Sequence, residues 1–366
     1  MLKILHKILV SANILFAVAL LLTYLSVYIN PEKFWGLALF GLAYPFLLVF
    51  NLLFIIYWIF RWKKVILISI VAICLGLFHL TSFFQFPFGK KRSTAGADLT
   101  ILSYNVNLFR LYSWSTEPPT HTDIIKLTKS YNADIACFQE FYTSAGKFSA
   151  TNARNLLEMN AHIGYIVQKK NSGYGIATFS KYPIVNKGEI KFEKTSNACI
   201  YSDIKIGDDT IRVYNNHLQS LRLKERNFSF LINEEFRQES NRISELKDIS
   251  YKYRDALRKR AHQVNLVAEH ISKCPYPVIV CGDFNDSPIS YTYHTISKNL
   301  LDTFREVGIG IANTYMGIIP SYRIDYILHH KAFQALNYSS PRVKYSDHYP
   351  VIGYYSWNKK GVDNKK

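Results

Sequence analysis

Cysteine and acidic side chains are what this chain has least of. Five cysteines, Cys74, Cys137, Cys199, Cys274 and Cys281, occur among 366 residues, and no two share the short spacing of a metal knuckle. That argues against a disulfide scaffold and against a structural zinc cluster. Asp and Glu number 27 against 44 Lys and Arg, a formal net charge of +17. The shortage is uneven. Before Asp98 stand nine basic residues and one acidic; the remainder holds 35 basic and 26 acidic, a net of +9. Internal repeats and low-complexity tracts are absent. With 49% hydrophobic and 15% aromatic residues, the chain is not a disordered one.

What replaces charge at the N-terminal end is apolar. Runs at 5–29, 34–60 and 65–86 each reach the roughly 20 residues that carry a helix across a hydrocarbon core. The second and third hold no Asp, Glu, Lys or Arg, and Lys3 and Lys7 stand at the start of the first. Tyr28, Trp35, Trp58 and Trp62 lie at or near run ends, where amphipathic aromatics favour the headgroup region. The first run is too long for a signal-peptide core and lacks a convincing small-residue cleavage site. Three spans place the termini on opposite sides. Lys3, Lys7, Arg61, Lys63 and Lys64 flank one side, and Lys33, Lys90, Lys91 and Arg92 the other. This slight bias, led by the first span, predicts an internal N-terminus and an outward C-terminal part of a multi-pass cell (inner) membrane protein. The expected division is a membrane domain over 1–88, a short basic linker over 89–97 able to touch anionic headgroups, and a second domain over 98–366.

After Asp98, short apolar runs alternate with polar segments. Strands are predicted at 100–105, 135–138, 175–180, 200–206, 210–216, 278–283, 323–328 and 350–356. A hairpin turn is predicted at Gly207-Asp208-Asp209. Helices are predicted at 121–131, 153–159 and over a long stretch ending near Ser272. Interleaved strands and helices indicate an α/β domain. The mixed-charge stretch 221–261 reads as amphipathic helix with a solvated face, or as a cap over the substrate entrance.

Polar residues collect at the strand ends. In Val278-Ile-Val-Cys-Gly-Asp-Phe-Asn-Asp-Ser-Pro288 a buried strand runs into Asp283 and Asn285, which share a face at i, i+2. A carboxylate beside an amide suits activation of water near a metal-bound phosphate; the alternative is an Asp/Asn turn. Asn105 ends the first strand. Glu140 follows the apolar run Ile135-Ala-Cys-Phe, as a ligand for a hard cation or as a solvated turn residue. His217 follows another strand, catalytic or merely structural. Asp347 and His348 are adjacent, so their side chains diverge in extended chain. His348 can serve as acid, base or electrostatic clamp, with Asp325 orienting its ring; otherwise the segment is a polar turn.

Together these segments resemble the endonuclease/exonuclease/phosphatase superfamily, which includes DNase I-like nucleases, abasic-site endonucleases, inositol polyphosphate 5-phosphatases and bacterial neutral sphingomyelinases. The resemblance is carried by Ser103-Tyr-Asn105, Gln139-Glu140, Gly175-Ile-Ala-Thr-Phe-Ser180 with Tyr182-Pro183, Asn215-Asn-His217-Leu, Gly282-Asp283-Phe-Asn285, Arg323-Ile-Asp325-Tyr and Ser346-Asp347-His348. They stand in the family's order and span 98 to about 357. The resemblance implies a four-layer α/β sandwich, two packed and mainly antiparallel sheets flanked by helices, here preceded by three transmembrane helices. It implies Glu140 as the principal Mg²⁺ ligand, with Mn²⁺ as a substitute, Asn105 nearby and Asp347 on the metal or leaving-group side. Asp283 would activate the attacking water with Asn285 in support. His217 and His348 would contact the scissile phosphate, Asp325 would orient His348, and Asn215 and Arg323 would bind substrate. The expected reaction is metal-assisted in-line displacement at phosphorus. A nuclease-like phosphodiesterase is expected, with nucleic acid favoured over a lipid headgroup. A lipid-headgroup or inositol-phosphate phosphoesterase is the alternative, and a catalytically silent phosphate-binding module is the rival of another class.

Overall fold

A computed structural model of the chain describes residues 2–88, 92–113, 120–193, 195–221, 239–316 and 323–357. Residues 89–91 of the expected linker and 222–238 of the mixed-charge stretch lie outside the described residues. Two compact units form. The first comprises Met1–Leu80, Gln219–Val264 and Ile289–His294, and the second Thr81–Leu218, Asn265–Pro288 and Thr295–Lys366.

In the first unit, two helices are long and apolar enough to cross a membrane, Lys3–Ser26 and Pro31–Phe60. The third apolar run departs from expectation. Its helix Ile66–Leu75 stops at Gly76, and the four-residue helix Leu77–Leu80 follows. Gly76 lets the Tyr24 ring lie close, since a Cβ there would fall 2.0 Å from its Cζ and the ring would have to shift. Three helices nevertheless pack as an up-down-up bundle. Trp58 Nε1 donates to Asn13 Oδ1 (2.8 Å) and Asn51 Nδ2 to the Phe16 carbonyl (3.1 Å), which sets Ala38–Phe60 antiparallel to Leu2–Ser26. Asn13 Nδ2 donates to Ser69 Oγ (2.6 Å) and Tyr24 OH to the Ala72 carbonyl (3.1 Å), which runs the third helix parallel to the first. The bundle interior therefore holds fully buried Asn13, Asn51 and Ser69, while Ile8, Leu15, Leu53 and Leu67 face outward.

The end of the third run is not helix at all. The Thr81 hydroxyl and Ser82 carbonyl accept from Arg305 and Arg323, and β1 (Phe84–Gln85) follows as strand. The remaining strands of the second unit are β2 (Leu99–Asn105), β3 (Ile135–Ser144), β4 (Asn160–Lys169), β5 (Ser172–Ser180), β6 (Ile184–Ile190), β7 (Ala198–Ile206), β8 (Asp209–His217), β9 (Val278–Asp283), β10 (Leu301–Asp302), β11 (Gly310–Ile311), β12 (Asp325–His329), β13 (Phe333–Ser339) and β14 (Val351–Trp357). Apart from the small β1-β11 pair, they form two six-stranded sheets, ordered β10-β12-β9-β8-β7-β6 and β13-β14-β2-β3-β5-β4. Among the described residues, only β2-β3 and β8-β9 are parallel pairs within them. The alternation of each strand makes two cores. Ile101, Ile135 and Cys137 meet Ile211, Val213, Ile279 and Cys281 between the sheets. Leu102, Ala136, Phe138 and Phe179 face the helices His121–Ser130 and Ala150–Leu157 through Ile124, Ala153 and Leu157. On the other sheet, Tyr214 of β8 meets His270 of the long helix Glu239–Ser272 (2.8 Å). This is an α/β fold of two mixed sheets with flanking helices, as expected.

Candidate active site

Two strands that lie side by side end at the same place. The parallel β8-β9 pairing sets His217 opposite Asp283, and the antiparallel β9-β12 pairing sets Asp325 opposite Asp283. This close register depends on Gly282. Its φ is +130°, and a Cβ there would lie 2.0 Å from the Asn216 carbonyl oxygen, so a larger residue would push β8 and β9 apart.

Asp283 is 1% exposed and is the hub. Its Oδ2 accepts from Asn105 Nδ2 (3.0 Å) at the end of β2 and from Asn285 Nδ2 (3.1 Å); its Oδ1 accepts from the Asn285 backbone N–H (2.8 Å). Asn285 adopts a left-handed backbone, φ +53°, which turns its amide back toward the carboxylate and the Leu218 carbonyl (2.9 Å). Burial pushes Asp283 up to about 6, and Asp325 adds to the rise, against the lowering effects of His348, His217 and Asn105.

His348 completes the pocket. Its Nδ1 lies 2.9 Å from Asp325 Oδ2 and its Nε2 3.8 Å from Asp283 Oδ2. Burial alone would lower its pKa, but Asp325, Asp283 and Asp347 together push it up to about 10. The ring is therefore an imidazolium at neutral pH, donating Nδ1–H to Asp325 and aiming Nε2–H toward Asp283. His217 Nε2 stands 3.9 Å from Asp283 Oδ2 and 3.6 Å from Glu140 Oε1. Glu140 sits at an irregularity of β3, where the β3-β5 register shifts between Phe138 and Phe141, with φ +52°. A non-glycine residue held in that region stores strain of order 1 kcal/mol, a pattern that clusters at functional sites. Burial raises the Glu140 carboxyl; His348 opposes this, the Asp347 charge adds to it, and Asn105 lowers it.

The structure thus brings together Asn105, Glu140, His217, Asp283, Asn285, Asp325, Asp347 and His348. It does not bring Asn215 and Arg323 with them, and the expectation that these two bind substrate is corrected. Asn215 is fully buried and turned between the sheets: its Oδ1 accepts from Gln139 (2.7 Å) and its Nδ2 donates to the Ala177 carbonyl (3.0 Å). Arg323 is 1% exposed, paired with both carboxylate oxygens of Asp302 (2.8 and 2.7 Å), and packed on Phe304 and Tyr326. Both are cross-braces. Sequence reasoning passed over Thr314 and Tyr315. Thr314 Oγ1 accepts the Ile324 and Asp325 N–H groups (3.0 and 3.1 Å), and Tyr315 bridges His348 with ring centroids 5.0 Å apart. Their segment belongs to no strand, so no periodicity marked it.

Two donor sets could hold a cation. Ligand atoms of Asp283, Asp325 and His348 lie within 4.8 Å of one another, but His348 spends Nδ1 on Asp325 and is protonated, so that trio is an internal acid-imidazole system. Glu140, Asp347 and Asn105 are the better fit. The Asp347 charge adds to the rise of the Glu140 carboxyl there, and all three side chains offer the oxygen that hard cations prefer. A cation between them would offset the Asp347 charge, which adds to the effect of burial on Glu140.

The profile of the endonuclease/exonuclease/phosphatase family matches residues 102–348, and the chain belongs to that family. A family described as a domain of unknown function (DUF8431) matches residues 6–83. No curated protein sequence matches the chain. Among solved structures, a mannosyl-6-phosphatase from Bacteroides thetaiotaomicron superposes with a TM-score of 0.52 at 17% identity, covering 71% of this chain and 100% of that one. The catalytic domain of human Nocturnin with bound sulfate gives 0.51 at 18%, covering 75% and 99%. An endonuclease/exonuclease/phosphatase from Bacteroides vulgatus gives 0.52 at 16%, covering 71% and 98%. At such identities the likeness is one of fold.

Proposed function

We propose that this chain is a membrane-anchored, Mg²⁺-dependent phosphoesterase that cleaves phosphodiester bonds, with a nucleic-acid strand as its substrate. The observation that carries this reading is the buried Asp283–His348–Asp325 system, with His217 and Glu140 at its mouth. An acid raised to about 6 beside an imidazolium raised to about 10 is a base and a cation separated by one catalytic pocket. Asp283, held by Asn105 and Asn285, accepts the proton of the attacking water. His348 and His217 donate to the phosphate oxygens, and Asp325 keeps the His348 ring charged and oriented. Asn105, Glu140 and Asp347 would hold the cation, which when bound supplies Lewis-acid neutralisation of the phosphate. Exposed Lys344 and half-exposed Arg110, joined by a 2.7 Å hydrogen bond from Arg110 to the Lys344 carbonyl, favour a polyanion near the segment that carries His348.

The membrane reading rests on the inverted first unit, polar inside and apolar outside. It also rests on the loop between its first two helices. Glu32 pairs with His262 (3.7 Å), and Tyr28 meets the ring of His294 at 4.7 Å. A loop touched by residues of later segments lies on their side of the bilayer. The chain must then return across after Phe60, so we assign the third crossing to 65–80. A membrane part ending near Leu80, a linker through residue 97 and a catalytic domain from 98, facing outward, complete this reading.

The test is a panel of duplex and single-stranded DNA, RNA, phosphoinositides and sphingomyelin, given to the full-length protein in detergent with and without Mg²⁺. Mg²⁺-dependent cleavage of a nucleic acid, lost by a thousandfold or more (roughly, for a group acting at the transition state) in Asp283→Asn, is the expected result. Cleavage of lipid alone replaces the substrate, and no turnover of any substrate overturns the reading.

A further inference from the structure

A cavity of about 220 Å³ lies in the second unit. It is smaller than the roughly 300–1,000 Å³ of pockets for drug-sized ligands, which suits a phosphate group rather than a nucleotide. Its walls carry two guanidinium groups from distant parts of the chain, Arg92 and Arg342, with Tyr338 and Ser340 between them and Phe304 and Ala312 beside them. Arg92 is held by Asn337 Oδ1 (2.9 Å) and the Tyr338 carbonyl (2.6 Å). Arg342 donates to the Asn313 carbonyl and lies over the Tyr349 ring. Each keeps further N–H donors beyond those bonds. Tyr338 is 7% exposed, and its hydroxyl and that of Ser340 are buried without a partner among the described residues. A buried hydroxyl left unpaired costs about 1–3 kcal/mol, a cost that an anionic oxygen would relieve. Asp302, a carboxylate whose charge reaches Tyr338, is already bound by Arg323. Burial keeps the Tyr338 phenol protonated and hence a donor.

The rim of the cavity is apolar and exposed. Ile309 and Ile311 line it, with Ile311 70% exposed. Ile311 pairs with Phe84 across β1-β11, and the exposed Phe86 and Phe88 continue that chain. Phe84 follows the helix Leu77–Leu80 by four residues, a reach of at most about 14 Å at roughly 3.5 Å per residue. Basic groups behind a rim of exposed Phe and Ile are the amphipathic pattern of a membrane-surface contact.

We infer that this cavity binds the phosphate headgroup of an anionic phospholipid, with Phe86, Phe88, Ile309 and Ile311 entering the acyl boundary. The inference rests on the membrane reading of residues 3–80 and is independent of the phosphoesterase reading. Arg342 also joins the cavity to the active site by way of the Asn313 carbonyl and its neighbour Thr314, which holds Asp325.

The full-length protein in detergent is titrated with phosphatidylglycerol, phosphatidylcholine and glycerol 3-phosphate, and bound lipid is counted by native mass spectrometry. Phosphatidylglycerol is expected to be retained at least about tenfold better than phosphatidylcholine, whose choline cation is repelled by the guanidinium groups of Arg92 and Arg342. Arg92→Gln with Arg342→Gln should abolish the preference, Tyr338→Phe should weaken it, and Arg342→Lys should keep part of it. Circular dichroism and alkaline carbonate extraction establish that each variant is folded and still membrane-inserted. Equal retention of both lipids, an unchanged preference in the folded double variant, or glycerol 3-phosphate binding as tightly as phosphatidylglycerol would each overturn the lipid site. Release of all variants and wild type by carbonate would instead overturn the membrane reading beneath it.

Discussion

Asp283 and Asp325 are direct cross-strand partners on β9 and β12, each 1% exposed, and they share one imidazole. Like charges placed opposite one another destabilise a sheet. Here His348 lies 2.9 Å from one carboxylate and 3.8 Å from the other, so the repulsion becomes chemistry. Asp283 must lose its proton to act as base, and His348 must keep its own to act as a cation. With the two at about 6 and about 10, activity is expected to rise with pH through the first value and fall through the second.

The Asp325→Asn variant moves both limbs the same way. Burial remains the main cause of the high Asp283 value, but Asp325 adds to it, so its loss lowers the acid limb. Burial depresses His348, and Asp325 leads the charges that overcome it, so its loss lowers the alkaline limb too. The kcat should fall by about 100-fold or more, the scale lost when a general acid is disabled. A pH–rate profile of kcat/KM checks this; limbs that stay in place would show that Asp325 does not tune the pair.

Glu140→Gln keeps the shape at the β3 irregularity and removes one anionic ligand. The Mg²⁺ concentration for half-activity is expected to rise by roughly tenfold or more, while activity at saturating Mg²⁺ recovers in part. A metal titration of the reaction decides it, and an unchanged half-activation point removes Glu140 from the metal site.

Arg323→Met separates bracing from binding. The substitution removes the guanidinium that neutralises the buried Asp302, which costs about 3–5 kcal/mol. Tm should drop, and kcat and KM of the folded protein should stay near those of the wild type. Asp302→Leu added to Arg323→Met should restore much of the loss. A raised KM with an unchanged Tm would return Arg323 to the substrate-binding residues.

Much of this was legible in the sequence. The interior strands β2 and β9 were found because both faces are buried, and such strands read as largely apolar runs. Besides the two-residue β1, β10 and β11, three longer strands escaped notice: β4, β6 and β13. Each lies at the edge of its sheet, and their burial is patchy, as in Ile184–Ile190, where every residue is at least partly exposed. Strand ends that carry a charged residue after an apolar run revealed Asp283 and Glu140. The resemblance alone assigned Arg323 to substrate, and no local pattern tells whether an arginine at the start of a strand faces a substrate or a buried Asp302 some twenty residues upstream. The third apolar run was overextended for a related reason. Phe83, Phe84 and Phe86 are as apolar as a span, and nothing local to them announces that β11 and Arg323 supply the partners.

The last prediction concerns sidedness. In the first unit, the helix Ile66–Leu75 runs parallel to Leu2–Ser26, and the loop that carries Glu32 meets His262. If the two long helices alone crossed the bilayer, residues 61–366 would share the side of Lys3 and could not reach that loop. A third crossing over 65–80 is only about 24 Å of helix at 1.5 Å per residue, shorter than a hydrocarbon core of about 30 Å. In the membrane reading the bundle would tolerate this, because Asn13, Asn51 and Ser69 join its helices by hydrogen bonds. Single cysteines are placed at Lys3 and at the exposed Lys273 in a background with the native cysteines replaced, and intact cells receive a membrane-impermeant maleimide. Labelling at 273 and protection at 3 are expected. Asn13→Leu with Asn51→Leu should loosen the short third helix and lower the labelling at 273. Both positions labelled alike would mean that only the two long helices cross, and the catalytic domain would then lie on the side of the N-terminus.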